Sequence, residues 1–268
     1  MAYSSHRHLA QLLQTRGPQL PARERDPGSY SIQSVYNALD LLEALCEEEE
    51  DVRISHLSEK LGMNKTSVFR LLATFENRGY VEREKGTGKY RLGLSAYETG
   101  QKILSRMWLL RKARSIMERL ARETNEAVYL AVRRGSESLF LEVADTLQQV
   151  KIISLVGRRF PMGQTAVGLA LLAFVKSSGE KPSRDIAFAA PDLIAAQACG
   201  VAVETGGIGE GIVSMATPLF AGTGEIVGSL CMVGPDFRLN RERIDGELLL
   251  RLKEAGEAVS SKLGYFGP

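Results

Sequence analysis

Apolar residues recur mostly at spacings of three and four between residues 31 and 46, at Ile32, Val35, Leu39, Leu41, Leu42 and Leu45. That period predicts an amphipathic helix. The acidic run at 47–51 cannot pack and reads as a solvated loop. Ser55 then stands ahead of a short helix through Leu57 and Leu61, as its expected N-cap. Gly62 suits the positive φ of a sharp helix exit. Asn64 is the expected cap of the next helix, about 65–77, where Val68, Leu71, Leu72 and Phe75 form one apolar stripe. In "YVEREKGTGKYRLG" two short strands flank the turn residues Gly86, Thr87 and Gly88, which predicts a β-hairpin.

Residues 94–122 read as one longer helix with seven Lys or Arg and two Glu. Beyond Asn125 the period changes. "AVYLAVRR", "SLFLEVA" and "QVKIISLV" predict three strands, and "TAVGLALLAFV" predicts an apolar helix. "GIVSMATPLF" and "EIVGSLCMVG" predict a hairpin about Gly222, Thr223 and Gly224. A last helix is expected over 240–263. The expected class is α+β, with a largely antiparallel sheet in the second half. Helix, helix, turn, helix and hairpin within about 65 residues is the order of a winged helix-turn-helix.

Composition changes this picture little. The chain has 268 residues, 44% hydrophobic and 25% charged, with a formal net charge of +2. Cys46, Cys199 and Cys231 show no paired or zinc-binding spacing, so a reducing cytoplasm is expected. No apolar run reaches the length needed to span a bilayer, and the N-terminus lacks the features of a signal peptide. Residues 1–29 read as a disordered basic tail.

The distribution of charge is more informative. Between residues 60 and 91 there are eight Lys or Arg and three Glu, a local excess of +5, while the acids collect at 47–51. Outside the apolar stripe, Asn64, Lys65, Thr66, Ser67 and Arg70 cluster at the start of the second helix of the motif. In a helix-turn-helix that segment enters the major groove of double-stranded DNA. Lys and Arg contact phosphates, Arg also reads guanine, and Asn reads adenine. Lys85 and Lys89 flank the hairpin tip and are placed to meet adjacent phosphates.

The chain resembles a known family, the IclR-type bacterial transcriptional regulators. The matching blocks are "SVYNALDLLEAL", "ISHLSEKLGMNKTSVFRLLATFENRGYVE", "KYRLGLSAYETG", "VGRRFPMGQTAVGLALLAF", "GEGIVSMATPLF" and "GEIVGSLCMVGP", in that order. The resemblance implies a winged helix-turn-helix domain at 30–93, a linker helix at 94–114 that helps dimerise, and a GAF-like effector-binding domain at 115–268. It also implies a homodimer or homotetramer on a near-palindromic operator, regulated by a small-molecule effector. Carried over by position, the effector residues are Met162, Ala166, Val167, Glu204, Ile212, Ser214, Cys231 and Val233. The same residue types are common in any core.

The chain departs from the family pattern. Leu169 stands where Lys is usual, Ser214 where Cys is common, and Cys231 and Val233 where serines are frequent. Fewer hydroxyls suit a small carboxylate less well, so a more apolar effector such as an aromatic acid is expected, or a pocket that has lost its ligand.

Two other classes fit the sequence less well. An enzyme is disfavoured because the three histidines, His6, His8 and His56, all lie in the first half, which leaves no Ser-His-Asp or Cys-His set. "GTGK" lacks the first glycine and the following Ser or Thr of a phosphate loop. "GGIGEG" at 206–211 leads into a strand rather than a helix and reads as a flexible loop beside the effector residues. No cofactor is expected. A winged helix that binds protein instead of DNA is disfavoured by the basic excess at 60–91.

Overall fold

The computed structural model describes residues 32–48, 50–174 and 190–267. The expected tail at 1–29 lies outside them. The described chain forms two compact units, one ending at Arg106 and the other beginning at Met107.

In the first unit α1 (Gln33–Glu47), α2 (Ile54–Lys60) and α3 (Lys65–Asn77) enclose a core of Leu41, Leu45, Leu57, Val68 and Leu72. Leu71 and Phe75 border that core, so the whole apolar stripe of α3 faces inward. The Asn64 side chain caps α3, its Oδ1 accepting from the Ser67 N–H at 2.8 Å. Such a cap stabilises a helix by about 1 kcal/mol. Gly62 takes φ +63° at the turn between α2 and α3. The antiparallel hairpin of β1 (Val81–Arg83) and β2 (Tyr90–Leu92) follows. Val52 pairs with Tyr90 as a minimal third strand and ties the wing to the start of α2. The unit ends with α4 (Leu94–Arg106), which buries none of its side chains.

Two local expectations fail here. Ser55 is not the cap of α2: that helix starts at Ile54, and Arg53 stands at the cap position without a side-chain bond. The backbone pairing of Val52 already fixes the entry, so no hydroxyl cap is required. The acidic run is not wholly solvated either. Glu48 accepts from Lys60 at 2.8 Å and bonds His56 at 2.9 Å, which folds it back over α2.

The second unit is a six-stranded antiparallel sheet in the order β5-β4-β3-β8-β7-β6, with helices on both faces. Its strands are β3 (Ala127–Arg134), β4 (Glu137–Ala144), β5 (Arg159–Pro161), β6 (Ala202–Thr205), β7 (Ile212–Phe220) and β8 (Ile226–Pro235). The α+β class with an antiparallel sheet is as expected. One face carries large aliphatic side chains, including Val128, Leu130, Met215, Leu230 and Met232, and packs on α5 (Trp108–Thr124) and α9 (Leu249–Lys262). The other face carries Ala127, Tyr129, Ala131, Ala202, Ala216, Cys231 and Val233. It packs on α6 (Ala166–Ala173), with α7 (Ala190–Cys199) against α6 and β6. The central strands β3 and β8 are buried on both faces, so they read as near-continuous apolar runs.

The expected helix over 94–122 is broken at Met107, whose backbone is extended (φ −72°, ψ 104°). The reason is burial. In α5, Leu109, Leu110, Ala113, Ile116, Met117 and Leu120 share a buried face, whereas α4 has no buried residue with which to continue it. Residues 149–156 do not form the expected strand. Val150 and Ile153 are exposed, and β5 occupies the edge beside β4 instead. The last helix is three joined pieces, α8 (Arg241–Arg243), a π turn (Ile244–Leu248) and α9. Sequence reasoning missed β6 and α7.

One polar group ties the unit together. Glu126 has no solvent exposure and accepts from Arg238 at 2.9 Å and from Arg243 at 2.8 Å. Arg243 also donates to the Thr124 carbonyl and Arg238 to the Val150 carbonyl. The start of β3 is thereby fixed to the segment after β8. Glu126→Ala leaves two cations facing a dry hole and should cost about 3 kcal/mol in chemical denaturation of the full chain. A loss under about 1 kcal/mol, the size of a surface pair, would contradict this role.

Candidate nucleic-acid interface and effector face

The N-terminal turn of α3 has two sides. Val68 and Leu72 are fully buried, while Asn64, Lys65, Thr66, Phe69 and Arg70 are exposed and Ser67 is half-buried. Lys65, Thr66 and Phe69 line an open cleft of about 550 Å³ with Arg53, Arg83 and Gly88. The cleft thus brings together the starts of α2 and α3 and the wing. Its three cations make no ion pair among the described residues. The same holds for Arg70, Lys85 and Lys89. Lys60 and Arg91 differ, being paired with Glu47 and Glu48 and with Glu82. The local basic excess is therefore available at the α3 and wing surface rather than spent internally. Glu48 is held below the usual carboxylate range by its hydrogen bonds from Lys60 and His56.

The geometry refines two roles. The Oδ1 of Asn64 is engaged in the cap, which leaves its amide N–H groups for an outside acceptor. Thr87 bonds Glu84 within the wing tip, so Lys85 projects from a closed turn. Arg53, Arg83 and Phe69 were missed in the sequence. Arg83 was counted only as charge, and its guanidinium lies 5.7 Å over the Tyr90 ring. Two residues after buried Val81, Arg83 shares its face of β1, so the local pattern alone does not mark it as a surface group.

The second unit gathers the other candidates. Met162, Ala166, Val167, Cys231 and Val233 belong to one buried cluster, and Ile212 packs against it. Ser214 lies opposite Val233 and Glu204 opposite Ser214 in the strand register, so all three share the face under α6. Glu204 Oε1 accepts from the Gly207 N–H at 2.8 Å, and its Oε2 lies 3.4 Å from Ser214 Oγ. Burial raises its carboxyl above the ordinary value, partly offset by those two bonds. Burial also pushes the Cys231 thiol up, and Tyr129, opposite Cys231 on β3, is pushed up to about 12 by burial. Tyr129, Phe140 and Phe160 form an edge-to-face ladder with centroids 5.5 and 5.7 Å apart. An aromatic wall therefore adjoins the candidate residues.

The short 3-10 turn Met162–Gln164 is clamped from two sides. A Cβ on Gly168 would stand 1.8 Å from the Met162 carbonyl oxygen, and one on Gly207 would stand 1.6 Å from that of Gln164. The 206–211 loop is consequently seated on the site, with Ile208 packed against the cluster. Thr165 caps α6, its Oγ1 accepting from the Gly168 N–H at 3.1 Å.

Residues 34–85 match the model of the IclR helix-turn-helix domain, and residues 101–182 match that of the bacterial transcriptional regulator IclR C-terminal domain. The two models of one family together span half the chain, in the family's order. The chain belongs to the IclR family of transcriptional regulators.

Among curated relatives of this IclR-family chain, the HTH-type transcriptional regulator KdgR of Escherichia coli is 29% identical over 249 residues, covering 88% of this chain and 94% of the relative. The crystal structure of Thermotoga maritima IclR is 25% identical, with a TM-score of 0.70 over 88% of this chain and all of that one. An IclR homologue from Microbacterium hydrocarbonoxydans, crystallised with 4-hydroxybenzoate, shares the fold at 23% identity and a TM-score of 0.70, over 86% of this chain and 98% of that one. Among the described residues of the IclR-family chain, no helix is long and apolar enough to cross a membrane. None of them form a cluster of three or more His, Cys, Asp or Glu able to hold a metal ion.

Single substitutions separate the expected roles on the cleft side. Arg70→Ala should weaken operator binding by about 1–3 kcal/mol and relax sequence preference at one position. Lys85→Ala should weaken all DNA sequences alike and reduce the salt slope by about one unit. Fluorescence anisotropy over a salt series reads both effects, and wild-type binding by both variants would show that the contact surface lies elsewhere.

Proposed function

We propose that the chain is a homodimeric, sequence-specific operator-binding regulator whose DNA affinity is set by a small organic ligand at the β7–β8 face. The observation that carries the DNA half is the two-sided start of α3. Buried Val68 and Leu72 orient the helix, so that Lys65, Thr66 and Arg70 face solvent beside a cleft carrying Arg53 and Arg83. Short donors and unpaired cations on a rigid helix start are what groove entry requires. Two such helices in a dimer would read half-sites about one turn apart, roughly 34–36 Å, or a multiple of it.

The dimer reading rests on exposed apolar side chains of the first unit. Leu94, Tyr97 and Ile103 on α4, and Ile32, Val35, Tyr36 and Leu39 at α1, are all exposed. Clusters of that kind mark contact surfaces on soluble proteins.

The ligand reading rests on the face under α6. Its small side chains, the Tyr129–Phe140–Phe160 wall and the scarcity of hydroxyls favour an aromatic ring over a compact polar acid. The raised Glu204 carboxyl, when protonated, can donate to a ligand acid group. A second reading, a face with no ligand, is favoured by one observation: Ala166, Val167, Ser214, Cys231 and Val233 are all nearly inaccessible. In the first reading, ligand entry shifts the balance between two arrangements with different operator affinity.

Thermal-shift measurements decide between them. Benzoate or 4-hydroxybenzoate at about a hundredfold above Kd should raise the melting temperature by on the order of 5 °C and change operator affinity. Strong stabilisation by glyoxylate or pyruvate, with none by aromatic acids, would overturn the aromatic assignment. Silence of every compound would favour the face without a ligand.

A further inference from the structure

A second cavity lies at the opposite end of β7 from Ser214. It has a volume of about 810 Å³ and is bounded by Gly200, Phe220, the α9 residues Lys253 and Glu257, and Tyr265. That volume is in the range of small-molecule sites. None of the candidate effector residues lines it.

Its walls are aromatic. The Phe174 ring meets Phe220 edge-on at 5.9 Å, and Phe220 stacks on Tyr265 at 4.9 Å with 26° between planes. Phe266 stands at the rim, almost wholly exposed. The neutral polar groups of the lining are largely engaged within the protein. Thr217 Oγ1 donates to the Gly200 carbonyl at 2.9 Å, and Gln197 donates to that of Ala173. Ser260 Oγ donates to the Gly256 carbonyl at 2.8 Å and accepts from the Phe220 N–H at 3.1 Å.

Two charges remain. Lys253 and Glu257 stand one helical turn apart, and neither makes an ion pair among the described residues. The Lys253 stem is laid across Gly200, where an added Cβ would be 3.2 Å from its Cε. The cavity therefore presents an aromatic wall, one held cation and one anion.

From this arrangement we infer a second ligand site for an aromatic zwitterion, a planar ring carrying both an acid and an amine as in an aromatic amino acid. The ring lies against Phe220 and Tyr265, which supply stacking area. The acid pairs with Lys253 and the amine with Glu257. A ligand with only one charge forgoes one of the two ion pairs, so the pair of charges sets selectivity.

Isothermal titration of the full chain tests this with a matched set of indoles. L-tryptophan should bind once per chain, and indole-3-propanoate and tryptamine should each bind at least about tenfold more weakly, one charge contact being worth about that factor. Lys253→Met should reduce L-tryptophan affinity to the level of tryptamine, and Glu257→Gln to that of indole-3-propanoate. Ser261→Trp, which places a ring in the cavity from an exposed position, should abolish binding while keeping the melting temperature and DNA binding of the parent. Absence of L-tryptophan binding, equal affinity for the single-charge analogues, or undiminished binding by Ser261→Trp would each overturn the proposal.

Discussion

The second unit depends on how closely α6 can lie on the sheet. Ala127, Ala131, Ala202, Ala216 and Cys231 present almost no bulk beneath it, and Gly168 lets the helix start press on the Met162 carbonyl. Dense packing of small groups is the gain: interiors reach crystal-like density only where shapes interlock. The opposite face follows the reverse rule, with large aliphatics meeting α5 and α9. This asymmetry places every candidate effector residue in one layer, together with the aromatic ladder. It also explains why the raised Glu204 carboxyl sits in a setting dominated by apolar neighbours, its charge supported by one backbone N–H and one hydroxyl.

The first unit shows a different economy. Its core is small, and α4 contributes nothing buried to it. What it offers is a sorted surface. Lys60 and Arg91 are neutralised by acids of the same unit, while Arg53, Lys65, Arg70, Arg83, Lys85 and Lys89 make no ion pair among the described residues. A net charge of +2 for the whole chain therefore conceals a concentrated basic face. Such local fields, rather than total charge, steer association with a polyanion.

Much of this was legible in the sequence because it rests on local rules. The cap at Asn64, the left-handed Gly62, the stripe of α3 and the glycine turn of the wing are dictated by neighbours in the chain. The features that escaped depend on distant partners. Val52 is a strand residue only because Tyr90 is there to pair with it. Residues 149–156 carry strand composition, but the short β5 pairs with β4 in their place. The break at Met107 follows from which apolar faces find a core, which periodicity alone does not reveal. Among the site residues, Lys65, Arg70 and Lys85 stood out by type and position. Arg53, Arg83 and Phe69 enter only through the cleft that folding creates.

The proposed function turns on whether the surface around the start of α3 selects particular DNA sequences. Its most direct test is capture of sheared genomic DNA from the encoding organism on the purified full chain, with sequencing of the retained fragments and Arg70→Ala protein as the control. A small number of sharp sites sharing a near-palindromic element, absent from the control, is expected. Uniform retention across the genome, or identical profiles for the two proteins, would contradict it.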